Sequence, residues 1–232
     1  MHSGEPMRTP FGVIFDMDGV LVDSADAHRR AWQQLGEEVG VPFSAALFAR
    51  TFGQRNANII PAWLGEVAPQ RSDELAQRKE SRYRQLVRCG AVRIYPRIPE
   101  LLAELRHLGA SVAVASSGPR ENVSLLIETI GAGAYITVAV ASEDVRDGKP
   151  HPEMFLTAAK RLGLVPGRCA VIEDSVHGIE AAKRARMLAV AVLTSTAREA
   201  LMAAGADVLV PTVGDLDPSQ LRQTIEQHAS AC

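Results

Sequence analysis

Asp16 and Asp18 stand two residues apart in Phe15-Asp16-Met17-Asp18-Gly19-Val20, the stretch of this chain best suited to chemistry. Carboxylates at that spacing can share a hard cation and still divide labour, one attacking and the other handling a proton. Three further polar clusters complement them. Ala115-Ser116-Ser117-Gly118 is a small, hydroxyl-bearing turn that leads into a helical pattern starting near Pro119. Its hydroxyl, its backbone N–H groups and the helix N-terminus all suit a phosphate oxygen. Gly148-Lys149-Pro150 sets one lysine between a flexible and a rigid residue, where an ammonium can neutralise phosphoryl charge and orient a nucleophile. Val171-Ile172-Glu173-Asp174-Ser175 is a second acidic pair, followed by Gly178, and would complete an oxygen-ligand magnesium site.

Each cluster by itself has a plainer reading: Asp-Gly as a turn, Ser116 as a helix N-cap, Lys149 as a solvated loop lysine, Asp174 with Ser175 as another cap. The elements that must carry them decide otherwise. Short runs rich in Val and Ile at Phe11–Phe15, Ser111–Ala115, Ile136–Ala141, Cys169–Ile172, Leu188–Leu193 and Val208–Val210 read as buried strands. Helical patterns lie between the later runs, at Ile98–Leu108, around Val123, Leu126, Ile127 and Ile130, and at Pro152–Leu162, Val176–Arg184 and Ala197–Ala204. This alternation predicts an α/β fold, a parallel sheet covered on both faces. In such a sheet the ligand crevice lies beyond the carboxyl ends of the strands. The four clusters follow four different strands, and four unrelated turns would have no reason to converge there.

The first strand is followed by an interval too long for an ordinary βα connection. Residues 24–96 carry helical patterns at Ala25–Val39, Ala45–Thr51, Asn56–Leu64 and Asp73–Arg88, broken at Gly40, Pro42, Gly53 and Pro69, with no convincing strand. A small α-helical cap is therefore expected over 24–96, inserted into a Rossmann-like parallel-sheet core formed by 1–23 and 97–232. With 232 residues, 47% of them hydrophobic and 22% charged, the chain has ordinary globular composition. A net charge of −2 with no recurring Lys/Arg block argues against nucleic acid or an anionic membrane as partner and leaves a small ligand. Cys89, Cys169 and Cys232 are far apart, odd in number and without CxxC spacing, which fits reduced thiols rather than disulfides or thiolate zinc. Met1–Pro10 is polar, lacks an apolar signal segment and reads as a flexible leader or a cloning remnant. No apolar run approaches the roughly 20 residues of a membrane span. A cytoplasmic monomer is expected, since no heptad or long exposed apolar stripe is evident.

Taken together, these residues resemble the haloacid dehalogenase superfamily over nearly the whole chain. The first motif corresponds to Asp16-Met17-Asp18-Gly19-Val20-Leu21-Val22-Asp23-Ser24, the second to Ser116, the third to Lys149 and the fourth to Glu173-Asp174. The resemblance implies an Asp16 nucleophile that forms an aspartyl-phosphate, with Asp18 protonating the leaving oxygen and later activating water. A second aspartate separates the phosphotransferases from the dehalogenase branch, because a halide needs no proton. The resemblance further implies Mg2+ held by an Asp16 carboxylate oxygen, the Asp18 backbone carbonyl and Asp174, with Glu173 contributing directly or through water. Ser116 and Lys149 would hold the phosphoryl oxygens, with Gly19, Ser117 and Arg120 beside them as phosphate contacts.

The insert resembles the family's small C1-type cap, and the nearest branch includes phosphoglycolate-type phosphatases and β-phosphoglucomutase. His28, Trp32, Arg55 with Asn56, and Lys79 are the candidate substrate contacts from the cap, which should select substrate and exclude water by closing. His28, Trp32 and Lys79 lie where the mutase branch has similar residues. Two departures favour hydrolysis over a mutase. Gly53-Gln54-Arg55-Asn56 differs from that branch's serine-arginine hinge, and Ser117-Gly118-Pro119-Arg120 lacks its lysine-asparagine pair for a second phosphate. The expected function is a magnesium-dependent phosphatase of a small phosphorylated metabolite, a sugar phosphate or a phosphoglycolate-like acid. A hexose-phosphate mutase and a non-catalytic phosphometabolite sensor are the alternatives.

Overall fold

The structure, a computed structural model, describes residues 9–231. All but the last two residues of the Met1–Pro10 leader, and Cys232, lie outside them. The described chain begins with β1 (Phe11–Phe15) and then β2 (Val22–Asp23), and enters the insert through α1 (Ala25–Val39), α2 (Ala45–Thr51), α3 (Asn56–Leu64) and α4 (Pro69–Arg88). Local chemistry sets these boundaries. Gly40 ends α1 in the left-handed conformation at φ 72°, and the Ser44 hydroxyl caps α2 by accepting the Leu47 N–H. Pro69 occupies the first turn of α4, where its missing N–H costs nothing. The helix therefore starts four residues before the expected Asp73, and Pro69 opens it rather than interrupting the chain.

The chain returns through β3 (Arg93–Ile94), which pairs antiparallel with β2, Val22 opposite Ile94 and Asp23 opposite Arg93. A strand thus exists inside 24–96, against expectation. Two-residue strands carry no periodicity to detect. The remainder alternates: α5 (Ile98–His107), β4 (Ala110–Ala115), α6 (Arg120–Ile130), β5 (Val138–Val140), α7 (Glu153–Leu162), β6 (Cys169–Glu173), α8 (Val176–Arg184), β7 (Leu188–Val192), α9 (Arg198–Ala203), β8 (Val208–Val210) and α10 (Pro218–Ala231).

Six strands form one parallel sheet in the order β5-β4-β1-β6-β7-β8. All five residues of β1 are buried, as a central strand covered on both faces requires. Side chains alternate between two apolar layers. Val13, Phe15, Val112, Val114, Ile172 and Val190 join helices α5, α6 and α10 on one face, while Ile14, Ala113, Val171 and Ala189 join α7, α8 and α9 on the other. Ala27 and Ala31 of α1 and Tyr83, Leu86 and Val87 of α4 belong to the first layer, so the base of the cap shares the core. The outer part of the cap has its own cluster, built from Trp32, Leu35, Phe43, Leu47, Ile59, Ile60 and Leu75. Among the described residues no helix is long and apolar enough to cross a membrane.

Candidate active site

The parallel ladder continues past the strands and fixes the polar residues at their ends. Asp16 donates its backbone N–H to Ile172 O at 3.0 Å, and Ser116 donates to Val140 O at 3.0 Å. Asp16 follows β1, Ser116 follows β4, and Glu173-Asp174 closes β6, so three adjacent strands deliver these side chains to one edge of the sheet. After Asp16 the backbone turns tightly: the N–H groups of Val20, Leu21 and Val22 all converge on Met17 O. Gly19 makes this possible. Its φ is 83°, and a Cβ there would lie 2.0 Å from Asp174 Oδ2.

Lys149, only 7% exposed at its side chain, bridges Asp16 Oδ1 and Glu173 Oε1, the latter at 2.6 Å. Glu173 is otherwise consumed by protein donors. Its Oε2 accepts the N–H groups of Asp174 and Ser175 and the Ser175 hydroxyl, all within 3.0 Å. The carboxylate fills the space beside Gly178, where a Cβ would sit 1.9 Å from Oε1. Burial pushes the Asp16 carboxyl well above its usual range despite Lys149, and Glu173 and Asp174 add to the rise. Burial, reinforced by Glu173, likewise lifts Asp174 to about 7. Asp16, Glu173 and Asp174 offer oxygens within 4.8 Å of one another. A buried, all-oxygen donor set that repels its own ionised form, with one lysine for compensation, fits a hard divalent cation.

Asp18 belongs to a different network. Its Oδ1 accepts the Ser24 hydroxyl at 2.5 Å and lies 3.3 Å from His28 Nε2 and 3.5 Å from the Tyr83 hydroxyl. Burial opposes ionisation here, but His28 and Ser24 outweigh it and hold Asp18 at about 2. Ser24 precedes α1 and gives its hydroxyl to Asp18 instead of capping the helix. The Tyr83 ring stacks on His28 at 3.8 Å, and His28 Nδ1 lies 2.8 Å from Lys79 Nζ. Lys79 pairs with Glu80, whose two oxygens also accept from Asn56 and from Asn122 of α6. Glu80 is held at about 2; burial raises it, and Lys79 and His28 more than reverse that.

Between cap and core lies a cavity of about 800 Å³. Of the residues singled out in the sequence, Asp16, Asp18, His28, Trp32, Arg55, Asn56, Lys79, Ser116, Ser117, Lys149, Glu173 and Asp174 line it. Gly19 and Arg120 are not among the lining residues. Gly19 gives way to Asp174 instead, and the Arg120 guanidinium is bound to Asp144 at 2.7 Å. Arg55 lines the cavity, but its guanidinium donates to backbone carbonyls of the core. Trp32 is almost fully buried in the outer cap cluster, stacked on Phe43. Sequence reasoning passed over Tyr83, Glu80 and Asn122. The first two lie within four residues of Lys79 on α4, but their contact with Asp18 or across to α6 depends on tertiary packing.

A parallel sheet, a helical insert that caps it and a carboxylate–lysine cluster between them define a capped α/β fold with a candidate catalytic centre at the carboxyl edge of its sheet. The profile of the haloacid dehalogenase-like hydrolases matches residues 12–186, and the chain belongs to that family. It is 33% identical over 197 residues to a validoxylamine A 7'-phosphate phosphatase of Streptomyces hygroscopicus subsp. limoneus, covering 85% of this chain and 91% of that one. It is 30% identical over 223 residues to the β-phosphoglucomutase of Bacillus subtilis, covering 93% and 96%. The solved structure of CbbY from Rhodobacter sphaeroides in complex with phosphate superposes with a TM-score of 0.78 at 28% identity, covering 88% of this chain and 95% of that one. The protein is thus an enzyme of the hydrolase and phosphatase type, for which phosphate esters are the implied substrates and magnesium the typical ion.

Proposed function

We propose that the protein is a magnesium-dependent phosphatase of a phosphorylated sugar-like metabolite, working through an aspartyl-phosphate on Asp16. The separation of the two aspartates carries this reading: Asp16 is salt-bridged to Lys149 among carboxylates, while Asp18 is held apart on Ser24 and His28. An Asp16 oxygen attacks phosphorus as the bond to the leaving oxygen breaks, and Asp18 gives that oxygen its proton. Water then loses a proton to Asp18 and attacks the aspartyl-phosphate, releasing inorganic phosphate and restoring both residues. Held on Ser24 and His28, Asp18 is in its base form, so to act as acid it must take up a proton from solvent as it turns from His28 toward the bridging oxygen, and the proton it later takes from water restores that acid form. Lys149 keeps Asp16 aimed and balances charge on the phosphoryl oxygens, and Ser116 offers its hydroxyl to one of them. Asp16, Asp174 and the Asp18 carbonyl would hold magnesium, which supplies the positive charge that lets a carboxylate meet a phosphoryl group. Glu173, saturated by protein donors, serves this centre by fixing Lys149 and the Asp174 backbone.

The test is phosphate release from a panel of phosphorylated metabolites with magnesium, by the wild type and Asp16→Asn. Release that needs magnesium and vanishes in the variant is expected. Metal-independent release, or an active variant, would sink the reading. The hexose-phosphate mutase is favoured by one observation, the His28 and Lys79 pair placed against Asp18. It predicts isomerisation of β-glucose 1-phosphate outrunning hydrolysis. Against it, the arginines nearest a second phosphate are committed elsewhere, Arg120 to Asp144, Arg55 to backbone carbonyls and the cavity-lining Arg84 to Glu121 and Asn122.

A further inference from the structure

Arg55 stands immediately before α3 in the cap, yet its guanidinium reaches across to the core segment that leads into Lys149. Nη1 donates to Arg146 O at 2.9 Å, and Nη2 to Ser142 O and Val145 O, each at 3.3 Å. The side chain lies flat over Gly148: a Cβ on that residue would come within 2.9 Å of Arg55 Nε. Nε itself is buried with no partner, the one such side-chain atom among the described residues. A buried N–H left unpaired is costly, so the position is held by what the two terminal nitrogens do.

The same segment is gripped from the other side by the core alone. Glu153 of α7 accepts the N–H of Arg146 at 3.2 Å and of Asp147 at 2.8 Å. Two of the loop's N–H groups are therefore held by the core, and three of its carbonyls by the cap. Opening of the cap would withdraw the guanidinium and leave those carbonyls to water, with Lys149 three residues beyond the last of them.

We propose that Arg55 is a positioning residue that makes the placement of Lys149 conditional on cap closure. It acts through the loop carbonyls and not by touching the substrate, which departs from the phosphate contact expected from the sequence. The hydrolase is complete only when the selecting domain is seated, so water meets an imperfect centre while the cap is open. The inference rests on the role given to Lys149 in the proposed function.

The test uses the full chain and p-nitrophenyl phosphate, a monoester whose leaving group has no hydroxyl or second anion for a cap arginine to hold. Arg55→Ala is expected to lower kcat by about 10- to 100-fold, the range that misplacing a catalytic group by an ångström can produce, with KM changed much less. Added guanidinium ion at low millimolar concentration should restore part of kcat, which a merely structural loss would not allow. Gly148→Ala, which crowds Arg55 off the loop, should lower kcat in the wild type and add little in Arg55→Ala. An unchanged kcat, a loss confined to KM, or fully additive effects of the two substitutions would overturn the proposal. Lys149→Ala is the separate control: if it keeps wild-type kcat, the proposed role of Lys149 fails, whatever Arg55 does.

Discussion

At the scale of single residues, the centre depends on two glycines that leave room for carboxylates. Gly19 yields to Asp174 and Gly178 yields to Glu173. Gly178→Ala is the sharper test, because Gly178 lies in α8 with no unusual backbone angle, so only the added methyl acts. It should push Glu173 off its backbone donors, release Lys149 from one of its two carboxylates and lower kcat by about 100-fold. Steady-state kinetics beside a circular dichroism melt would read both effects, and a variant with wild-type kcat would show that Glu173 does not position Lys149. Apart from Lys149, which lies in a loop well past β5, the motif side chains that line the cavity were legible as a set in the sequence because they sit at or just after the end of an apolar strand. Arg120 and Arg55 were not, because an arginine spans enough distance to choose among several partners. The choice fell on Asp144 for one and on loop carbonyls for the other.

At the scale of elements, Glu80 joins helix to helix across the domain boundary. From α4 it takes the amides of Asn56 at the start of α3 and Asn122 in α6, and the ammonium of Lys79 beside it. Its carboxyl is held at about 2, below the ordinary 4.5, so its ionised form stabilises the fold above about pH 4.5 and that contribution is lost as pH falls toward 2. Glu80→Gln turns one oxygen into a donor facing other donors, and should cost on the order of 3 kcal/mol at pH 7. Urea unfolding of both proteins at pH 7 and pH 3 would measure this. The difference between them should shrink at the lower pH, and an equal difference at both would refute the assignment. Most core elements were legible to within a few residues, and α1, α2, α3, α8 and β8 match their expected spans. The β2–β3 ribbon, too short for periodicity, was missed, and α4 began earlier because proline was read as a breaker where it opens a helix. The short β5 was overextended, since its flanking apolar residues pack against the core without joining the ladder.

At the scale of the whole molecule, the proposed magnesium site would link stability to the metal through its buried carboxylates. With Asp174 lifted to about 7 and Asp16 raised as well, both must lose protons to act as ligands. Magnesium affinity measured by titration calorimetry should therefore weaken as pH falls below about 7, with protons released on binding, and magnesium should raise the melting temperature. Affinity independent of pH across that range would argue against these ligands. Among the described residues neither cysteine lines the cavity: Cys169 is buried, with its thiol pushed up to about 12, and Cys89 is exposed and free. The order of strands also bears on how the molecule is made. Phe11 at the start of β1 pairs with Ala110, and Gly12 with Cys169, so the strand that leads to Asp16 waits for both neighbours to emerge from the ribosome. Closing such long loops is slow. A nascent chain that stops short of β6 can already contain every cap helix and Asp16, but it lacks Glu173, Asp174 and the ladder bond from Ile172 that sets Asp16 in place. In the proposed reading hydrolytic power is thus withheld until β6 has been made, and a product terminated before it has a lid with nothing to guard.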